Sequence, residues 1–78
     1  MNKDITLYGA SWCAYCVQLR FYLDKKGYEY TYQNVDDKEI ETQMLEETGG
    51  RYLIPTLKVG DKVVQNPPTK MVEEMING

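Results

Sequence analysis

The sequence predicts an α/β fold of order β-α-β-α-β-β-α, a four-stranded mixed sheet flanked by three helices. Three observations predict it. Apolar residues switch twice from a period of two to the period of a helix. Two short apolar runs then bracket a Gly-Asp pair. A last apolar stripe of helical spacing follows a Pro-Pro pair. A strand, a helix and a strand at this spacing imply a right-handed crossover and a parallel pair, whereas the hairpin adds an antiparallel pair.

Each element has its own grounds. In ITLYG, residues 5 to 9, Ile5 and Leu7 alternate with Thr6 and Tyr8 before glycine stops the run, which predicts the first strand. From Ala14 to Lys26 the spacing is helical, with Cys16, Leu19, Tyr22 and Leu23 on one side. Lys25 and Lys26 suit the negative end of the helix dipole, and Gly27 can adopt the left-handed closing conformation. YEYTYQNV, residues 28 to 35, has Tyr28, Tyr30 and Tyr32 at every second position, a strand with one aromatic face. No basic residues flank that row, so core packing is favoured over a base-stacking platform.

Asp36 and Glu39 have capping-box spacing and predict the start of the second helix. Its inward stripe is Ile40, Met44, Leu45 and Thr48, and Gly49-Gly50 ends it. TLKV and KVVQ around Gly60-Asp61 predict a tight hairpin. Pro68 is placed as the first residue of the last helix, because Pro67 precedes a proline and is itself disfavoured there. Met71, Val72, Met75 and Ile76 form its apolar face, with the methionines read as gap-filling core.

A chain of 78 residues reads as one domain, 1–78. Its 42% hydrophobic and 27% charged residues are an ordinary globular balance. Net charge is −3 with no basic block, which argues against nucleic acid as a partner. Neither a secretory signal nor an apolar run long enough to span a membrane is visible. The expected location is the cytoplasm and the expected state a monomer.

Both cysteines lie in CAYC, as Cys13 and Cys16. A structural staple is disfavoured, since so small a loop removes little chain entropy and cytoplasmic thiols are kept reduced. Zinc wants four nitrogen or sulfur ligands, and two cysteines with no histidine complete such a site, or an iron–sulfur cluster, only across a dimer. Thiol–disulfide exchange fits best. A C-x-x-C beside a βαβ pattern is a redox signature. The first cysteine falls at a helix start, where unpaired N–H groups and the dipole favour thiolate. A spacing of three puts the second sulfur within bridging reach. Cys16 begins the inward stripe and is expected to be the more buried, leaving an exposed attacker and a protected resolver.

The chain resembles a glutaredoxin, a small member of the thioredoxin-fold superfamily, over nearly its whole length. CAYC after a strand, LIPT before the hairpin and the element order carry the resemblance. It implies a thioredoxin-like fold, with Cys13 as nucleophile and Cys16 as resolving thiol. Tyr15 would flank the sulfur and contact bound substrate. Ile54-Pro55 matches the family's Val-Pro, whose proline is cis and packs opposite the cysteines. The Ile54 backbone would then pair with an extended cysteinyl substrate such as glutathione. Read alone, Pro55 is a strand-initiating proline. Arg51 sits where members hold a cation for a glutathione carboxylate; read alone, it is a solvated loop arginine. The resemblance implies no bound cofactor or metal, glutathione as reducing co-substrate, and disulfide-containing proteins such as ribonucleotide reductase as partners.

Four departures qualify this picture. Ala14 stands where many members have proline, which would preset the helix's first turn. Trp12 resembles the Trp-Cys of thioredoxins and either shields the sulfur, meets partners or packs on the rim. Ala10 replaces a lysine that often lies three residues before the first cysteine. Before the last helix, where members have Gly-Gly-x-Asp to hold the γ-glutamyl carboxylate, this chain has Gln65-Asn66-Pro67-Pro68-Thr69. Two prolines remove two backbone donors, and Thr69 is left to supply a hydroxyl and an N–H. Weaker glutathione binding is expected. The alternatives are a hydrogen donor recharged by thioredoxin reductase, although that group's aromatic-Ser-Gly-Phe stretch is missing, and a dimeric cluster or metal carrier.

Overall fold

A computed structural model describes residues 4–77. The elements follow the expected order: β1 (Ile5–Gly9), α1 (Ala14–Lys26), β2 (Thr31–Asn34), α2 (Lys38–Thr48), β3 (Thr56–Val59), β4 (Lys62–Gln65) and α3 (Thr69–Asn77). The sheet has strand order β2-β1-β3-β4. β1 pairs parallel with β2, antiparallel with β3, and β3 pairs antiparallel with β4, so the sheet is mixed as expected. It is a thioredoxin-like fold.

The period of two in the interior strands divides the core between two faces. Ile5 and Leu7 of β1 with Leu57 and Val59 of β3 meet Leu19 and Leu23 of α1 and Val72 and Met75 of α3. Tyr8, on the opposite face, meets Ala10, Val35 and Met44 of α2. One face thus carries two helices and the other a single helix. Beyond the core, Tyr22 Oη donates to Glu73 of α3 at 3.2 Å and Lys26 lies 3.6 Å from the same carboxylate, joining α1 to α3. Lys58 and Glu47, 2.9 Å apart, join β3 to α2.

Three boundaries differ from the sequence reading. The ladder of β2 is confined to residues 31–34 rather than 28–35. The cause is the closure of α1. Gly27 takes the left-handed conformation with φ 75°, and the Tyr28 N–H donates to the Leu23 carbonyl at 3.0 Å. That donor therefore finishes a helix instead of joining a sheet. The tyrosines still pack as a row, with Tyr28, Tyr30 and Tyr32 half-buried against the two-helix core, and Arg20 stacks 3.9 Å above the Tyr32 ring.

The cap of α2 is Asp37, not Asp36. Its carboxylate accepts the Glu39 N–H at 2.9 Å. The Asp36 N–H donates to the Asn34 side chain and the Asp37 N–H to the Asn34 carbonyl, so a turn after β2 delays the helix by one residue. The stripe is narrower than expected. Met44 is buried, whereas Ile40, Leu45 and Thr48 are half-buried. Finally, α3 begins at Thr69 and Pro68 precedes it. The Pro68 carbonyl accepts the Val72 N–H at 3.1 Å, the part of a residue flanking the helix rather than the first one inside it.

Candidate active site

β1 ends at Gly9 and the chain turns through Ala10–Trp12 into α1, which places both cysteines at the start of that helix. Cys13 is the N-cap residue, in extended conformation, and its sulfur accepts the Cys16 N–H at 3.3 Å. A sulfur in that position sits at the positive end of the helix dipole and receives an N–H that would otherwise lack a partner. Both cysteines are free thiols, Cys13 half-buried and Cys16 fully buried. Burial first, then the hydrogen bond from Cys13, pushes the Cys16 thiol up to about 12. The two sulfurs are therefore unequal in the sense expected, one reachable and one sheltered with its proton.

Gly9 makes room for the sheltered sulfur. A methyl group there would stand 3.0 Å from both Cβ and Sγ of Cys16. The glycine that ends β1 therefore also admits the sulfur, a role that its place at a strand end did not reveal.

The loop before β3 forms the second wall. The Ile54–Pro55 peptide is cis, as the resemblance implied. Pro55 is fully buried, and Cys13 and Ile54 pack against the same cluster of Tyr8, Ala10, Val35 and Met44. Among the described residues the Ile54 N–H and carbonyl have no intramolecular partner, which leaves them open to an extended chain. The loop is fixed from both sides. Thr56 Oγ1 donates to the Leu53 carbonyl at 2.6 Å, and Thr48 Oγ1 donates to the Arg51 carbonyl at 2.7 Å. Arg51 itself is exposed. Its backbone is bound to Thr48 and Gln65, and its guanidinium forms no ion pair or hydrogen bond among the described residues.

The link between β4 and α3 is the third wall. Tyr15, expected to flank the sulfur and contact substrate, donates its hydroxyl to the Pro67 carbonyl at 2.6 Å. Asn66 has φ 52°, and its N–H donates to the Pro55 carbonyl at 2.6 Å. Pro67 and Pro68 have no N–H. Residues 66 to 68 therefore present no free backbone donor to an anion. Thr69 is exposed at the head of α3, and no contact joins it or Arg51 to the sulfurs among the described residues.

On the rim, Trp12 is 65% exposed yet oriented, because its indole Nε1 donates to Asp36 Oδ1 at 3.0 Å. Tyr52 and Leu53 are also exposed. Desolvation first, then the charges of Glu41, Asp36 and the two cysteines, raises the pKa of the Tyr52 hydroxyl. The site contacts of Asp36, Asn66 and Tyr52 were not expected from the sequence. The unusual Asn-Pro-Pro string was the one available signal among them.

Among the described residues no three side chains of metal-binding type converge, and the sulfurs stand as a pair. No described helix is long and apolar enough to cross a membrane. A hollow of about 1070 Å³ lies along residues such as Asp4, Tyr28, Lys58 and Asn77 and includes neither cysteine.

Comparison with known proteins agrees with this geometry. The sequence model of the family described as Glutaredoxin matches residues 5–64. No curated protein sequence matches the chain. Among solved structures, a glutaredoxin of Archaeoglobus fulgidus superposes with a TM-score of 0.84 at 23% identity, covering 97% of this chain and 88% of its own. The glutaredoxin-like NrdH-redoxin of Escherichia coli, described by a thioredoxin-like activity profile, gives 0.76 at 21% identity, covering 91% and 92%. A buckwheat glutaredoxin solved in complex with glutathione gives 0.65 at 21% identity, covering 81% of this chain and 60% of its own.

Proposed function

The chain belongs to the glutaredoxin family of thiol–disulfide oxidoreductases, and on that premise we propose that it reduces protein disulfides through Cys13 and Cys16 and is recharged by a dithiol of the thioredoxin reductase type rather than by glutathione. The Cys13 thiolate attacks one sulfur of the substrate disulfide. A Cys13–substrate S–S bond forms, the substrate S–S bond breaks, and the departing thiolate takes up a proton. Cys16 then gives up its proton and attacks Cys13 sulfur. The Cys13–Cys16 bond forms and the second substrate thiolate leaves. Two electrons pass to the substrate, and an external dithiol returns them.

The raised Cys16 pKa orders these steps. Before Cys13 is engaged, its hydrogen bond and the charge of its thiolate help to keep the Cys16 proton in place. Once Cys13 is engaged in the mixed disulfide both contributions are gone and only burial holds the proton. Resolution thus becomes easier after the first attack.

The observation that carries the choice of reductant is the Asn66 N–H bonded to Pro55. With two prolines following, a γ-glutamyl carboxylate finds no backbone donor along residues 66–68. Glutathione is the second reading, favoured by the unpaired guanidinium of Arg51. The test couples turnover of one protein disulfide to thioredoxin reductase and, separately, to glutathione with glutathione reductase. Rapid recharging in the first and slow in the second is expected; the reverse would replace the proposal with the second reading. Cys13→Ser should abolish turnover, and Cys16→Ser should accumulate the mixed disulfide, visible by mass spectrometry.

A further inference from the structure

We infer that the Tyr15 hydroxyl is a positioning group that sets which thiol can recharge the protein, by holding the 66–68 link shut against the cysteine helix. The inference rests on the reading above, that a thiol bearing a γ-glutamyl carboxylate is a poor reductant here. The link is bound to the other two walls of the site by few polar contacts. Tyr15 Oη donates to the Pro67 carbonyl at 2.6 Å, the Asn66 N–H donates to the Pro55 carbonyl at 2.6 Å, and Gln65 Nε2 donates to the Arg51 carbonyl at 3.0 Å. Only the first of these joins the link to the helix that carries the sulfurs, across a separation of 52 residues.

Asn66 occupies the left-handed region, φ 52°, which asparagine tolerates better than other side-chain-bearing residues but which the following proline disfavours. Pro67 is fully buried, so its carbonyl has little access to water and takes its hydrogen bond from Tyr15. With the hydroxyl in place, Asn66 keeps its N–H on Pro55. Without it, the Pro67 carbonyl turns to water, Asn66 relaxes from its conformation, and its N–H becomes free to meet a carboxylate beside that of Thr69. Tyr15 thus acts through residues 66 and 67 and not on the reacting sulfurs.

The test compares recharging by glutathione with recharging by 2-mercaptoethanol, a thiol without a carboxylate, as a ratio of KM values in Tyr15→Phe and in the unaltered protein. Any general loss from loosened packing cancels in the ratio. One charge-assisted hydrogen bond regained at the dock lowers the ratio about tenfold in Tyr15→Phe. Amide exchange of Asn66, slow in the unaltered protein, should become fast in the variant. Asn66→Gly removes the conformational penalty but keeps the Tyr15–Pro67 contact, and it should leave the ratio as it was.

A ratio in Tyr15→Phe equal to that of the unaltered protein overturns the inference while the reading of the reductant stands. So does a fall in Asn66→Gly, which would assign the effect to the link's backbone alone. Fast Asn66 exchange in the unaltered protein overturns it without any variant. If glutathione already recharges the unaltered protein as well as 2-mercaptoethanol does, the reading itself fails and the inference with it.

Discussion

The indole of Trp12 and the carboxylate of Asp36 are joined at 3.0 Å across 24 residues, which ties the residue before the half-buried Cys13 to the turn that leads into α2. Trp12 is the sole tryptophan, so its fluorescence reports on the site directly. Asp36→Ala is expected to lower the anisotropy of its emission, because the ring keeps its exposure but loses its tether. Asp36→Asn retains an acceptor and should preserve most of the signal. The contact is exposed, so neither change should alter stability by more than about 1 kcal/mol. An unchanged anisotropy in Asp36→Ala would show that the ring is held by something else.

The raised Cys16 thiol predicts a loss of stability in alkali. The unfolded chain releases this proton near the ordinary 9.0 and the folded chain near about 12. Between those values the folded state binds more protons, so the unfolding free energy falls as pH rises. Reduced protein unfolded by denaturant from about pH 9 to 11 should show this decline, and Cys16→Ala should show less of it. In Cys13→Ala the Cys16 thiol should titrate below about 12 but stay above its ordinary value, because burial, the largest cause, remains. Parallel pH profiles in the unaltered protein and Cys16→Ala would refute the assignment.

Ala14 is the first residue of α1, exposed, with an N–H that needs no helical acceptor. Proline is therefore tolerated there. Ala14→Pro is expected to stabilise the protein by about 0.4–1 kcal/mol by restricting the unfolded chain. It should also shift the reduction potential of the pair, because the turn that both sulfurs share is stiffened. A redox titration giving identical potentials would contradict this.

Thr56 is the buried polar residue behind the Ile54–Pro55 loop, and its hydroxyl serves the Leu53 carbonyl at 2.6 Å. Thr56→Val keeps the volume and removes the donor. The expected cost is about 1–3 kcal/mol by thermal unfolding. The loop that presents Ile54 should loosen, raising KM for protein disulfides more than it lowers kcat. A pure stability loss with unchanged KM would confine Thr56 to a structural role.

The parts of the molecule legible in the sequence were those set by neighbours in the chain. The alternation in Ile5–Gly9, the stripe Cys16–Leu19–Leu23 and the lysines before Gly27 gave β1 and α1 their bounds, and Gly60-Asp61 gave the hairpin. The order of burial between the two cysteines followed from the same stripe. Distant partners were beyond reach. Asp36 and Asp37 are equivalent by type, and only the turn built on Asn34 decides which caps α2. Tyr28 fits a strand by periodicity, yet its N–H is claimed by Leu23. Tyr15 stands next to the sulfur in sequence, and nothing local to it shows that its hydroxyl reaches Pro67. Such contacts depend on where the fold brings three loops together, and no local pattern encodes that meeting.

Most helices keep the same N-cap for the life of the protein, but on the mechanism proposed above α1 gives its cap up in every catalytic cycle. The Cys13 sulfur receives the Cys16 N–H, and in that mechanism the same atom enters each new S–S bond. In the mixed disulfide it is a divalent, weakly accepting sulfur, and the first turn of the helix loses its best acceptor. Whatever that cap contributes to the reduced protein opposes the release of its electrons, because a couple whose reduced form is favoured is the more oxidising one. The potential of this protein is therefore written partly in the folding energetics of a single helical turn.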